Sequence, residues 1–284
     1  MDILLSRGED EKNLFITQLR TSLESHSTVA RVRCGAEQFW DGPGDEDILH
    51  IHWPEHLCAD PGHAQLRRYG AALREWHQSP AAVVVTVHNE YPHYRDTPFY
   101  RAVYRLTYLY ADGLVHLGER SKAVVRQRYG ACLRETEEAV IPHGMYSWYP
   151  QSAEDGPTRS DYGYDPTDTV VLAFGSIRRP EELELLLSGF EAADVRNKQL
   201  LVAGGVVWPS RLTLRHYKLR LRTLLSPVQM AEGFIPHEDV PGLFNLADVL
   251  VIPRTDALNS GNVALGFTFG KVVVGPDTGV IGET

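Results

Sequence analysis

The chain has 284 residues, a formal net charge of −9, and a composition that is 43% hydrophobic and 23% charged, which excludes a disordered, collagen-like or coiled-coil chain. The acidic balance disfavours general nucleic-acid binding, which needs a basic surface or stripe. Cys34, Cys58 and Cys132 are odd in number and far apart, so they suggest neither a disulfide framework nor a CxxC metal site; a reducing, cytoplasmic setting is expected. No run approaches the roughly 18 apolar residues that span a bilayer, and MDILLSRGED is not organised as a secretory signal. A soluble protein is expected, with room for peripheral contact at the inner face of a cell membrane.

Short apolar runs alternate with amphipathic stretches, the pattern of parallel strands buried on both faces by crossover helices. A strand is predicted at Ile3 to Leu5, a helix from Glu11 to Ser25, strands at Val29 to Cys34 and Asp47 to His52, and a helix from Pro61 to Gln78. The strand Ala82 to His88 is nearly all β-branched. Helical spacing follows at Thr97 to Tyr110, then a strand at Leu114 to Leu117, a helix at Ser121 to Tyr129 and a strand at Ala139 to Pro142.

Gln151 to Asp168, QSAEDGPTRSDYGYDPTD, is polar and turn-rich and reads as a linker. The rhythm then restarts with strand Thr169 to Phe174, helix Glu181 to Ala193, strand Gln199 to Ala203, helix Pro209 to Leu225 and strand Met230 to Phe234. Helix Val240 to Asn245, strand Val249 to Ile252, helix Asn262 to Phe269 and strand Val272 to Gly275 complete it. The predicted organisation is α/β, with Rossmann-like domains at residues 1–150 and 169–284 joined by 151–168 and facing each other across a cleft. Ligands in such sheets bind where loops leave the carboxyl ends of strands.

Three local features carry chemistry. LHIHWPEH puts His50 and His52 on one strand face with His56 close behind, an arrangement open either to metal binding or to a hydrogen-bonded cleft wall. His88 leaves the carboxyl end of a buried strand and can exchange a proton at neutral pH. In the second half, Gly175 and Arg178 precede a helix, and Asn259, Ser260, Gly261 and Asn262 open another; two helix N-termini and an arginine suggest an anion cradle for a diphosphate, the alternative being two ordinary N-caps. GxGxxG after the first strand, GxxxxGK[ST] and GxSxG are missing, which disfavours a standard dinucleotide dehydrogenase, a P-loop NTPase and an α/β-hydrolase.

In this order, DILHIHWPEH, VVVTVHNEYPH, AVIPHGMYSWYP, VLAFGSIRRPEELELLLSGF, LLVAGG, EGFIPHEDVPGLFNLADVLVIP and NSGNVALGFTFGKVVVGPDTGVIGE resemble the GT-B glycosyltransferases, particularly the family-4-like enzymes of bacterial polysaccharide assembly. The resemblance implies a hexosyltransferase that takes a UDP- or GDP-sugar in the C-terminal domain and a saccharide or lipid-linked acceptor in the N-terminal one, without a cofactor or obligatory metal. It places Gly175, Arg178 and the 259–262 helix start at the donor diphosphate, Ile235 beside the base, His88 at the transferred sugar, and His52, Trp53 and Glu55 on the acceptor side.

The chain departs from this family at three points. The two glutamates usually found around the last helix are replaced by Ala257 and Leu265, and a basic residue expected just after Arg178 falls near Glu181 or Glu182. Arg179, Arg254 and Lys271 are candidate substitutes. The chain also stops earlier than the family usually does, which suggests a truncated or minimal form. A noncatalytic sugar- or nucleotide-binding relative, and a metal-dependent hydrolase built on His50, His52 and His56, remain alternatives. Two stretches could meet a membrane: Tyr91 to Tyr110, with seven aromatics and Arg95, Arg101 and Arg105, continued by Arg120 to Arg134; and Arg211 to Leu225, with five cations and no acid. For both, the competing reading is a surface helix covering a core.

Overall fold

The computed structural model describes residues 1–10, 13–92, 96–133, 135–150, 156–231 and 233–284. The chain divides into two compact units, Met1–Pro142 and His143–Gly282.

The first unit runs β1 (Asp2–Leu5), α1 (Phe15–Glu24), β2 (Arg31–Cys34), α2 (Ala36–Asp41), β3 (Ile48–His52), α3 (His63–Gln78), β4 (Ala82–Val87), α4 (Pro98–Leu109), β5 (Gly113–His116), α5 (Glu119–Tyr129) and β6 (Glu137–Val140). The strands pair in parallel in the order β2-β1-β3-β4-β5-β6. Chain order therefore reverses between β1 and β3. Leu4, Leu49, Val83, Val85 and Leu114 are buried in the sheet, as parallel strands covered on both faces require. The residues at 11–12, where the first helix was expected to start, lie outside the described part. The six-residue α2 and a 3-10 turn at Pro54–Leu57 had no periodic signal to announce them.

The helices of this unit are tied by buried polar pairs. The Trp76 indole donates to the Phe39 carbonyl at 3.0 Å, and the Tyr69 and Thr107 hydroxyls are 2.7 Å apart. Tyr100, Tyr104 and Tyr108 on α4 are core side chains, and three of the cations in this stretch are engaged by carboxylates: Arg101 by Asp96, Arg126 by Glu138 and Arg128 by Glu90. Three of the six described aromatics in the stretch expected as a membrane-facing candidate are thus core; its Arg95, and Arg134 beyond it, lie outside the described residues.

The second unit runs β7 (Thr169–Phe174), α6 (Pro180–Ala192), β8 (Lys198–Ala203), α7 (Leu214–Leu225), β9 (Val228–Ala231), α8 (Val240–Leu246), β10 (Val249–Val251), α9 (Gly261–Thr268) and β11 (Val272–Val274). Its parallel order is β11-β10-β7-β8-β9, with the reversal between β7 and β10. One face is covered by α8 and α9 through Leu243, Phe244, Leu265 and Phe269, the other by α6 and α7 through Leu183, Leu187 and Leu219. α7 starts at Leu214 rather than near Pro209 because Thr213 and His216 form a reciprocal capping box there. The sequence expectation for the third strand ran on to Phe234 across Glu232, which lies outside the described residues. Among the described residues, no helix is long and apolar enough to cross a membrane.

The segment expected as a linker begins with residues 151–155, outside the described part. The rest belongs to the second unit. Arg159 donates to the carbonyls of Leu246, Pro166 and Asp168 and pairs with Asp248, and Tyr164 is buried in the core beside α8. Residues 143–150, placed by sequence with the first half, also pack on the second unit, where Tyr149 joins the same core. A polar, turn-rich composition describes how the chain bends there, and two tyrosines and one arginine decide where it is anchored.

Gly242 marks that anchorage. A Cβ at this position would lie 2.6 Å from the Pro157 Cδ and 2.7 Å from its backbone nitrogen. Gly242→Ala is therefore expected to lower stability by about 1–3 kcal/mol through overpacking against backbone, measured as a reduced midpoint in urea.

Candidate functional site

Both order reversals collect polar side chains, and each collection belongs to one unit. In the first, the His52 main-chain N–H donates to the Ser6 hydroxyl at 3.1 Å, joining the carboxyl ends of β1 and β3 across the reversal. His52 is 1% exposed, and its Nδ1 lies 2.9 Å from Nε2 of His88, which leaves β4 8% exposed. The next residue, Trp53, holds φ at 47°, a region that costs a non-glycine residue energy and persists only where the surroundings fix it. What fixes it is its ring, stacked on His88 at 3.8 Å between centroids and 13° between planes. Phe15 meets His88 edge-on at 4.7 Å, and the Arg7 guanidinium lies 4.9 Å from the Trp53 ring centre.

This geometry selects tautomers. His52 Nε2 is buried without a hydrogen-bond partner, and an orphaned buried N–H is rarer than an underused acceptor. The single proton of His52 therefore sits on Nδ1 and is donated to His88 Nε2, which puts the proton of a neutral His88 on Nδ1. Burial, with His50, His88 and Arg7 nearby, pushes His52 well below the usual histidine range. His52 thus behaves as a fixed neutral donor to His88 Nε2.

Glu55 is tied elsewhere. The Tyr104 hydroxyl donates to its Oε2 at 2.8 Å, and burial raises its pKa. His50 Nε2 lies 2.8 Å from the Thr86 hydroxyl, and burial lowers its pKa to about 4. His56 stands exposed in the 3-10 turn. Among the described residues no three His, Cys, Asp or Glu side chains are grouped to hold a metal ion, so the expected alternative of a ligand trio at His50, His52 and His56 is not assembled.

In the second unit the reversal between β7 and β10 is crossed by Asn262, whose Nδ2 donates to the Phe174 carbonyl at 2.7 Å. Gly175 follows with φ at 86°, and a Cβ on it would lie 3.8 Å from Asn262 Nδ2 and 3.9 Å from an Arg254 nitrogen. Arg254 donates to the Ser176 carbonyl at 3.3 Å. Gly204, at φ 134°, has no room for a side chain: its Cβ would lie 2.5 Å from the Gly175 carbonyl oxygen. Two glycines thus allow the loops after β7 and β8 to touch backbone to backbone, continued by the Ile177–Val206 bridge.

Ser260 is the N-cap of α9 without a side-chain cap bond, and its hydroxyl is buried without a partner. Sequence reasoning had assigned no role to two groups over this helix start. A Cβ on Gly261 would lie 2.7 Å from the Tyr146 hydroxyl and 3.5 Å from His143 Nε2. Tyr146 spans α9, since its main-chain N–H donates to Thr268 at the far end at 2.9 Å, and burial pushes its pKa up to about 12. Its hydroxyl therefore stays protonated beside the open helix end. The only advance signal was the run PHGMY itself, which carries no periodicity.

Arg178 uses its main-chain N–H to donate to Glu182 at 2.7 Å, while its guanidinium forms no hydrogen bond or ion pair with the described residues. Of the candidate substitutes for the missing charge, Arg179 pairs with Asp256 at 2.5 Å, Lys271 lies at the opposite end of α9, and Arg254 is beside the cradle. Ala257 and Leu265 are buried in the core, so neither position offers a polar group. Ile235 packs against the core next to α8 and lines a cavity of about 490 Å³ with Tyr162, Asp239 and Leu243, to which none of the cradle residues contributes. The structure therefore brings Gly175, Arg254 and Asn262 together, with Ser260 and Gly261 at the same helix start, and leaves Ile235 on a separate cavity.

No family model matches the chain. It is 24% identical over 242 residues to a GDP-mannose:glycolipid 4-beta-D-mannosyltransferase of Xanthomonas campestris pv. campestris, covering 81% of this chain and 61% of that protein. The chain thus spans about three-fifths of the length of the curated relative. Anabaena Alr3699/HepE, crystallised with UDP and glucose, superimposes with a TM-score of 0.68 at 14% identity, over 100% of this chain and 82% of that one. A sucrose-phosphate synthase from Thermosynechococcus elongatus gives 0.64 at 16% identity, over 99% and 82%. These likenesses establish the fold.

Two measurements address the histidine cluster. Long-range ¹H–¹⁵N spectra at neutral pH are expected to show both His52 and His88 protonated at Nδ1; protonation of His88 at Nε2 would contradict the assignment. Because His50 and His52 are depressed in the folded state, they favour unfolding as pH falls below their unfolded value near 6.5. From pH about 6.5 to about 4, His50 alone is expected to remove about 3 kcal/mol of stability, which urea titrations of wild type and His50→Gln would reveal.

Proposed function

We propose that this chain, whose two units have the fold of the GT-B glycosyltransferases, transfers a sugar from a UDP- or GDP-sugar to a saccharide or lipid-linked saccharide acceptor. The observation carrying this reading is the open start of α9, where main-chain N–H groups, the Ser260 hydroxyl and the Tyr146 hydroxyl converge at an order reversal, with Arg178 on the loop that follows the neighbouring strand β7. A nucleoside diphosphate fits such a donor-rich edge. The nucleotide choice draws on the relatives: the mannosyltransferase is named for GDP-mannose, and HepE was crystallised with UDP.

In the reaction the bond between the sugar C1 and the diphosphate oxygen breaks as the acceptor hydroxyl attacks C1, and the acceptor's proton passes to the departing diphosphate, which has taken the bonding pair. The negative charge that grows on the departing diphosphate is offset by fixed N–H donors and by Arg178, and these need not reorganise as the charge appears. In this reading no metal is required. His88 orients the transferred sugar rather than taking up a proton through Nε2, which already accepts from His52.

Calorimetry is expected to detect saturable binding of UDP or GDP, weakened about tenfold or more by Arg178→Ala, as for loss of a charged contact. His88→Ala should lower turnover of the productive donor about a hundredfold or more while leaving diphosphate affinity nearly unchanged. A folded sample that binds neither nucleotide would refute the reading, and binding without turnover on any acceptor in a panel would mark a nucleotide-binding relative instead.

A further inference from the structure

α7 has two apolar faces, and only one of them is used. Leu219 and Thr223 point into the unit and are buried, Leu219 against the core that includes Leu183 and Leu187 on α6. On the opposite side Leu214, Tyr217, Leu221, Leu224 and Leu225 are exposed at 80%, 57%, 56%, 81% and 78%. Their spacing, i, i+3, i+7, i+10 and i+11, gathers them into one stripe roughly 100° wide on an α-helix. Exposed single leucines are ordinary on a protein surface, but five side chains in one continuous stripe are not.

The edges of the stripe identify its partner. Lys218 borders it on one side and Arg220 on the other, both exposed; Arg220 also lies 4.8 Å over the Trp208 ring. The helix LRHYKLRLRTLL carries no acidic residue although the chain as a whole has a net charge of −9. Arg215 and Arg222, further round, are engaged by Glu184 and Glu191 of α6, so the cations left facing outward are those that flank the leucines. A cation-edged apolar stripe on a helix lying along the surface matches the boundary between lipid headgroups and acyl chains. Complementarity of charge makes that surface anionic.

We infer that the outer face of α7 docks the second unit onto an anionic lipid bilayer, with the leucine stripe buried among the acyl chains and Lys218 and Arg220 at the headgroups. This inference stands apart from sugar transfer, and its test needs no turnover. Flotation of the full chain is compared on vesicles of phosphatidylcholine alone and with about 30 mol % phosphatidylglycerol. Wild type is expected to float with the anionic vesicles and to bind the neutral ones about tenfold more weakly. The triple variant Leu221→Glu, Leu224→Glu, Leu225→Glu should lose both, and Lys218→Glu with Arg220→Glu should lose the anionic preference. All substituted side chains are exposed, so circular dichroism should show unaltered melting.

Wild type that remains unbound, or variants that float as wild type does, would overturn the inference. So would a concentration-dependent dimer in sedimentation that the triple leucine variant converts to monomer, because the stripe would then be a contact between copies.

Discussion

A parallel sheet whose chain order reverses leaves two neighbouring strands with loops departing in opposite directions, and the crevice between them is the one place at the sheet edge not filled by a crossover. Each unit of this protein is organised by that constraint. Between β1 and β3 the gap is bridged by His52 N–H to the Ser6 hydroxyl, and between β7 and β10 by Asn262 to the Phe174 carbonyl. In both cases a side chain from one strand's loop satisfies, or is satisfied by, the backbone of its neighbour. The residues of chemical interest cluster around these two bridges.

The two crevices are furnished differently. The first is built of rings: His52, His88, Trp53 and Phe15 pack on one another, and burial holds His50 and His52 neutral. Such a wall suits a hydroxyl-bearing ligand, recognised through shape and one or two directed hydrogen bonds. The second is furnished with donors, backbone N–H groups and hydroxyls that have no acceptor among the described residues, and so suits a ligand that carries negative charge. Packing explains the difference, because aromatic rings close off the end of β3, whereas glycines at 175, 204 and 261 keep backbone within reach in the second unit.

The fold was legible where burial on both faces forces β-branched runs: VVLAF of β7 and AVVVTV of β4 can scarcely be anything else. Legibility failed where a short element depends on a tertiary partner. α2 is held by Phe39, whose ring meets Tyr69 and whose carbonyl accepts from Trp76, and no six-residue window shows helical period. The position of His88 at the end of β4 could be anticipated, because a polar residue after a buried strand must emerge at the sheet edge. Its partner could not, since His52 is 36 residues away in sequence and only the register of β3 on β4 joins them. Tyr146 escaped for a similar reason: it is separated by 122 residues from Thr268, to which it is bonded.

Glu182 gives the second crevice a further property. Its buried carboxylate accepts from the Arg178 main chain at the start of α6, so that helix end is already neutralised from within. Of the two helix starts near β7, one is furnished with its own resident anion and the other, at α9, is not. The unit is thereby polarised along a single direction, and an incoming anion encounters one attractive pole rather than a broad basic field. In a protein of net charge −9, that confinement makes this crevice suit a small, highly charged ligand that needs one point of attachment, rather than a long polyanion that needs contacts spread along its length.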